Sequence, residues 1–429
     1  MNQGIRAEEP PAAAEAKRTP QNPLLASSPP APFNEQSITP CGIGLLTGGG
    51  DKPYVLGLTR ALTEAGLFVE IIGSDELSVP ELLDDPNVNF LNLRGDQRPE
   101  ASWVAKVLRV LRYYARLVRY AAGAKPKIFH ILWHNKFEFF DRTLLVLFYK
   151  FLGKRVIFTA HNVNAAERDR NDSFCNRLSL RIQYRLCDHI FVHTEKMKKK
   201  LRQAFGVAEK KVSVIPFGIN KTVRETNLSS GDAKRRLGID TGDRTLLFFG
   251  QIAPYKGLSY LVSALSQLES YDDNYRLIIA GKPKWSGAYW VEVKRMITAS
   301  GIAKRILLRI EHIPDEEAEV YFKAADVLVL PYTDIFQSGV LFLGYNFGLP
   351  AIVTDVGSLK EHIIEGRTGF VCRPRDSSDL AATIRRYFGS SLFQELDHER
   401  SFIKAFANER YSWGRVATIT KAVYQEVSG

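Results

Sequence analysis

The chain has 429 residues, 45% of them apolar, with 58 Lys plus Arg against 47 Asp plus Glu for a net charge of +11. That length exceeds one compact core and fits two or three domains of ordinary globular composition. No apolar run reaches bilayer-spanning length and no secretory leader pattern opens the chain. The positive balance favours phosphorylated substrates or anionic lipid, whereas nucleic acid is not an expected partner because no zinc-finger, RNP or helix-turn-helix pattern occurs.

Residues 1–40, rich in Pro, Ala, Ser and Glu, read as a disordered tail. Order begins near Cys41 with a short strand Gly42–Thr47, a Gly48-Gly49-Gly50 loop, a helix carrying Val55, Leu58 and Leu62, and a second strand Phe68–Ile72. Gly48 and Gly49 would let a ligand approach the backbone, but the spacing is not a dinucleotide fingerprint, and a bare turn reads equally well. Residues 101–122 form a helix with Lys106, Arg109, Arg112, Arg116 and Arg119 on one face and Val104, Val107, Leu108, Leu111, Ala115 and Val118 opposite. No acid occurs from Ala101 through Phe137. Such a helix suits an anionic membrane or lipid-phosphate surface, or is a solvated face on a packed helix. Strands Lys127–Trp133 and Arg155–Ala160 each end in a histidine-asparagine pair, His134-Asn135 and His161-Asn162, where open α/β sheets bind ligands. Between them a helix spans about Asp141–Leu152. Helices Phe174–Cys187 and Thr194–Phe205 then alternate with strands His189–His193 and Val212–Pro216.

A polar stretch, 227–232, marks the crossing between domains, and strand–helix alternation restarts at Thr245. The run Leu246–Gly257 is a strand ending in Gly250, a loop with Pro254, and Lys256-Gly257 opening a helix. This is an anion site or an ordinary turn with a solvated lysine. Strands ending at Ala280-Gly281, Ile310, Leu330 and Thr354 follow. Asp315 is expected to cap the helix to Ala324, and Gln337-Ser338-Gly339 to precede a helix to Asn346, with another helix starting at Gly357. Two alternating β/α series predict two doubly wound domains facing a central cleft. The four cysteines, Cys41, Cys175, Cys187 and Cys372, lack metal-ligand spacing and suit a reducing cytoplasm.

The ordered segments resemble the retaining glycosyltransferases of the GT-B fold, family 4. Phe249-Gly250-Gln251-Ile252 with Lys256-Gly257 is similar to the family's phosphate loop. Phe347–Thr354, Gly357 with Glu361, and Glu365-Gly366-Arg367-Thr368-Gly369 resemble its donor-site segments. Thr159–Val163 resembles its active-site turn, and Val214–Asn220 the end of its first domain. The resemblance implies a tail over 1–40, an acceptor domain over 41–222 joined by a helix near 409–429 crossing back, and a donor domain over 223–408. Two departures stand out. The phosphate-loop arginine falls at Gln251, and the family's glutamate pair falls at Ile335 and Leu343. Phe336–Val340 instead resembles a branch with a Gln-Ser-Gly-Val donor segment.

The activity implied is transfer of a sugar from a UDP- or GDP-sugar, with retention and without a metal cofactor, to a saccharide or lipid-linked acceptor. Lys256 and His161 are the implied catalytic residues. The implied donor site comprises Gly250, Gln251, Lys256, Gly281, Ile313, Gln337, Ser338, Gly339, Val340 and Glu361. Gly48, Gly49, His134 and Asn162 would line the acceptor side, and the basic helix would meet the inner face of the plasma membrane in the synthesis of a cell-surface polysaccharide or glycolipid. Two other readings stay open: a non-hydrolysing nucleotide-sugar epimerase, and a low-activity nucleotide-sugar-binding partner subunit.

Overall fold

The computed structural model describes residues 42–97, 102–169, 171–221, 223, 225–268, 274–284 and 287–429. The tail expected over 1–40 lies outside them. The first sheet comprises β1 (Ile43–Leu46), β2 (Val69–Gly73), β3 (Val88–Asn92), β4 (Ile128–Ile131), β5 (Arg155–Thr159), β6 (His189–Val192) and β7 (Val212–Val214). These seven strands pair in parallel in the order β3-β2-β1-β4-β5-β6-β7. The second comprises β8 (Arg244–Phe249), β9 (Tyr275–Ala280), β10 (Ile306–Arg309), β11 (Val327–Leu330), β12 (Ala351–Thr354) and β13 (Gly369–Cys372), in the order β10-β9-β8-β11-β12-β13. The central strands are buried along their whole length, β1, β4, β6, β11 and β12 without exception. Helices covering both faces bury such strands on both sides, so their sequences are dominated by apolar residues.

In each sheet the strand order reverses once, between β1 and β4 and between β8 and β11. The loops leaving these strands at their C-terminal ends splay apart, and a ligand crevice forms there. The GT-B architecture, two Rossmann-like α/β domains with parallel sheets, follows from these two orders.

Local sequence sets several of the helix starts. Asp51, Ser102, Ser173, Thr194 and Asp376 each accept a backbone N–H from the first turn of the helix they precede. Asp315 does not act as expected. Pro314 holds the cap position and Asp315 sits inside the first turn, where its charge still favours the helix N-terminus. The helix expected from Gly357 is a single 3₁₀ turn, Leu359–His362. The segment expected as one helix over Asp141–Leu152 begins with a π-helical stretch, Asp141–Leu145, before Val146–Phe151.

The C-terminal helix Trp413–Ser428 leaves the second domain and packs on the helix Lys52–Glu64 of the first. Trp413 Nε1 donates to the Ile219 carbonyl at 2.9 Å, and Lys421 Nζ to that of Ala65 at 2.8 Å. Its Tyr424 hydroxyl meets Nδ1 of His130, fully buried in β4, at 2.6 Å.

Candidate functional site

The crevice holds a cavity of about 360 Å³ walled by both domains. On the second-domain side, β8 runs into Gly250, whose φ of +95° favours glycine. Gly281 closes behind it, because a Cβ there would lie 1.9 Å from the Gly250 carbonyl oxygen. Gly281 thus shapes the loop and does not line the cavity. Lys256 ends a 3₁₀ turn, and Gly257 is pressed so closely on Pro331 that a Cβ would meet its carbonyl oxygen at 2.0 Å. One reading of the sequence had Lys256 solvated in a turn. It is in fact buried, with Nζ donating to the Tyr332 hydroxyl at 3.0 Å while lining the cavity. The Tyr332 hydroxyl lies 3.3 Å from Oγ of Ser338.

Ser338 precedes the helix Gly339–Asn346 and does not cap it with its side chain. The first-turn amides at Gly339 and Val340 therefore face the cavity with the positive end of the helix, close to Lys256. A buried ammonium beside unpaired helical amides is a site for a phosphate or diphosphate.

Gln337 lines the same wall, and its orientation is fixed from behind. Its Oε1 lies 3.3 Å from Nε2 of His362, whose Nδ1 lies 2.9 Å from the Tyr411 hydroxyl. Burial pushes the His362 ring down to about 3, so it is neutral. A carbonyl oxygen can only accept, so Nε2 carries the proton and Nδ1 accepts from Tyr411. The Gln337 Nε2 group is left buried without a partner in the protein, as a donor available to a ligand.

The first-domain wall consists of Asp51, Pro53, Tyr54, Phe217, Gly218 and Asn220, with Trp413 brought in by the C-terminal helix. Burial holds the Asp51 carboxyl above its usual range, and the charge of Asp315 across the cavity raises it further, against the N–H of Tyr54. His161 sits one layer behind this wall. Its ring stacks on Trp133 at 4.0 Å and meets Tyr54 edge-on at 4.7 Å. A chain of protons sets its tautomer. His193 Nδ1 lies 3.3 Å from the Ile215 carbonyl, which can only accept, and His193 Nε2 lies 3.0 Å from His161 Nδ1. Both rings are held neutral by burial, His193 at about 4 and His161 well below its usual value. His161 Nδ1 is then the donor to His193, and its buried Nε2, which has no partner, presents a bare lone pair.

Of the residues singled out in the sequence, Gly250, Gln251, Lys256, Gln337, Ser338, Gly339 and Val340 meet in one cavity wall. Ile313 is buried in the second-domain core, and Glu361 is on the exposed side of its 3₁₀ turn. Gly48 packs against the carbonyls of Trp133 and His134, and Gly49 faces the Arg94 guanidinium. His134 stacks on Phe158 and bonds Gln183 at 2.8 Å, as a structural histidine does. Asn162 is half-buried beside His161 and outside the cavity wall. Sequence reasoning missed Tyr332, His362 and Tyr411, which act through contacts between distant segments. His193 carried a readable signal, a third histidine at the end of a strand.

The glycosyl transferases group 1 family matches residues 229–405, and the glycosyltransferase family 4 domain matches residues 48–223. An uncharacterised glycosyltransferase of Methanocaldococcus jannaschii is 27% identical over 248 residues, 56% of this chain and 60% of that one. A D-inositol 3-phosphate glycosyltransferase of Geodermatophilus obscurus is 24% identical over 398 residues, 88% of this chain and 84% of that one. The chain spans about three fifths of the length of the first of these curated relatives. Among solved structures, sucrose-phosphate synthase from Thermosynechococcus elongatus superposes with a TM-score of 0.73 at 17% identity, covering 90% of this chain and 99% of that one. Anabaena Alr3699/HepE in complex with UDP-glucose superposes with a TM-score of 0.68 at 17% identity, over 90% and 99%.

Proposed function

We propose, from the premise that this chain is a family 4, group 1 glycosyltransferase of the GT-B fold, that it moves a hexose from a nucleoside diphosphate sugar to its acceptor with retention at the anomeric carbon. The observation that carries the reading is the convergence of buried Lys256 with the free amides of Gly339 and Val340 on one cavity wall. A diphosphate leaving group develops negative charge as the glycosidic bond breaks. A fixed ammonium and oriented amides in a water-poor cleft stabilise that charge without reorganising, so no metal is needed for it. Gln337 donates to a sugar hydroxyl through its Nε2 group. The Nε2 lone pair of His161 suits a sugar hydroxyl and not a phosphate oxygen, since both would be acceptors. For His161 to reach the sugar, the side chains in front of it have to shift when the donor binds.

The nucleotide is UDP or GDP, and the solved relative with UDP-glucose supports the former. The acceptor is lipid-linked, a reading supported by the five cations of the helix Trp103–Gly123. No described helix is long and apolar enough to cross a membrane, so contact would be peripheral.

One observation favours a second reading. Ile335 and Leu343 line the cavity where family members carry carboxylates, and Gln251 stands in for an arginine. A nucleotide-sugar-binding subunit with little turnover would tolerate these losses. Thermal unfolding with UDP-, GDP- and ADP-sugars, followed by product analysis, tests both. A ligand at about 100 times its Kd stabilises by about 2.7 kcal/mol. Stabilisation by one nucleotide class with sugar transfer supports the transferase. Stabilisation without transfer over a broad acceptor panel supports the subunit, and no stabilisation by any sugar nucleotide overturns both.

A further inference from the structure

The helix Trp103–Gly123 carries three stripes where its sequence suggested two. Tyr113, Tyr114, Leu117 and Ala121 are buried in the core against the first sheet. Arg112, Arg116 and Arg119 are exposed along one flank. The third stripe is the run of Val and Leu that the sequence sets opposite the cations. Val104, Val107, Leu108, Leu111 and Val118 are all exposed, and Trp103 at the helix start is 77% exposed. A helix that merely covers a core puts polar side chains there.

The exposed apolar surface continues onto the neighbouring helices. Phe137 stacks on Tyr114 at 5.6 Å yet leaves half of itself open. In the helical segment that follows, Leu144, Leu147 and Phe151 recur at three- and four-residue steps on the outer side, and Phe151 is 88% exposed. Phe174 and Leu178 do the same on the helix Phe174–Leu186. The inner sides of all three helices share one core, and Tyr114 on Asp141 and Arg142 on Asn176 tie each to the next, so their outer sides lie side by side. Exposed large apolar side chains gathered on neighbouring helices mark an interaction surface.

We infer that this three-helix surface docks on an anionic lipid bilayer, with the apolar side chains entering the acyl boundary and the arginine flank resting on the headgroups. Charge complementarity selects that occupant. The helix holds five cations, and no acid occurs from Ala101 through Phe137. A second copy on the same face would set these cations against themselves across a two-fold axis. A bilayer takes apolar residues at one depth and cations at another, which is the division these stripes present. Attachment stands apart from the transferase reading and rests on it only for the lipid-linked acceptor that it would bring to the cleft.

Flotation of the full chain with phosphatidylcholine vesicles, with and without phosphatidylglycerol, at low and high salt, tests the inference. The expected result is flotation with anionic vesicles at low salt, weakening with salt. Changing Arg112, Arg116 and Arg119 together to Gln should lower partitioning on the order of a hundredfold. Changing Val107, Leu108 and Leu111 together to Ser should abolish flotation with the anionic vesicles. Brominated lipid should quench Trp103 in the unchanged protein, and that quenching should vanish in Trp103→Ser. Stabilisation by the nucleotide sugar is measured in every variant, and its persistence separates failed docking from a failed donor site or fold. The inference falls if the unchanged protein stays unfloated at low salt or if the Ser variant floats as the unchanged protein does. It also falls if the unchanged protein is a dimer in solution that the Ser variant dissociates, because a second copy would then be the occupant.

Discussion

Lys256→Ala should reduce kcat by about 10²–10³, the loss that follows removal of one preorganised oxyanion donor, about 2.7–4 kcal/mol. Because the side chain is buried against Tyr332, its thermal unfolding has to be measured beside turnover; near-normal turnover in a folded variant overturns the phosphate assignment. His362 makes a different prediction, since its ring nitrogens bond Gln337 and Tyr411 from behind the wall. His362→Phe keeps a ring of similar shape and frees the Gln337 amide to rotate. It should raise KM for the donor sugar more than it lowers kcat, and adding Gln337→Ala should cost little more. Additive losses in the double variant would show that the two residues act independently. His161→Ala should lower kcat with nucleotide affinity unchanged, because the diphosphate is held by the other domain. Equal losses in both would make it a structural ring under Trp133. Lys256 and His161 were legible in the sequence because each follows the end of a strand. Their burial and tautomers were not, because Tyr332 lies 76 residues beyond Lys256 and His193 32 beyond His161.

Among the elements, periodicity identified the strands and helices with strong apolar patterns. It missed β3, whose alternation is broken at Leu91 and whose residues, at the sheet edge, are half-buried or, at Asn89 and Asn92, exposed. The basic helix was located correctly, with its apolar residues opposite the cations, but the sequence left open what that apolar face meets. Valine and leucine mark a face as apolar without saying what covers it, and here Tyr113, Tyr114, Leu117 and Ala121 supply the core stripe. The C-terminal helix could not be placed by pattern alone, since its anchor depends on two glycines far away in sequence. A Cβ on Gly57 would sit 2.2 Å from the Trp413 ring and one on Gly218 2.5 Å from it. Gly57→Val should therefore unseat Trp413, and Trp413→Ala should destabilise by about 3–5 kcal/mol as a large ring leaves a packed site. Denaturant unfolding checks both. Because Trp413 also lines the cavity, nucleotide affinity should fall in each, whereas a stable, binding-competent Gly57→Val would mean that the helix is not anchored there.

For the molecule as a whole, contacts across the cleft hold the two domains together. Thr194 and Ser358 hydroxyls meet at 2.8 Å, and Lys196 Nζ donates to the Gly357 carbonyl at 2.7 Å. Lys284 lies 3.8 Å from Asp169, and the Arg168 guanidinium lies 4.7 Å over the Tyr255 ring. Buried histidines stand close to this junction and elsewhere in both domains, and they govern the response to acid. Burial holds His130, His134 and His362 down at about 3 and His193 at about 4. Once unfolded, each regains an ordinary value near 6.5. Between those limits the unfolded chain binds more protons than the folded one, so stability rises with pH. The contribution is complete above about pH 6.5 and is lost as pH falls toward 4 and then 3, at up to about 1.4 kcal/mol per pH unit for each histidine. Thermal midpoints measured from pH 8 to pH 4 should be flat at the upper end and fall steeply below about 6.5. In His130→Gln the dependence should flatten by one histidine's share, provided that the substituted side chain still bonds Tyr424 or Thr159. A midpoint unchanged down to pH 4 would mean that these rings are charged or solvated in the folded chain, and the tautomer chain that leaves His161 Nε2 as an acceptor would fall with it.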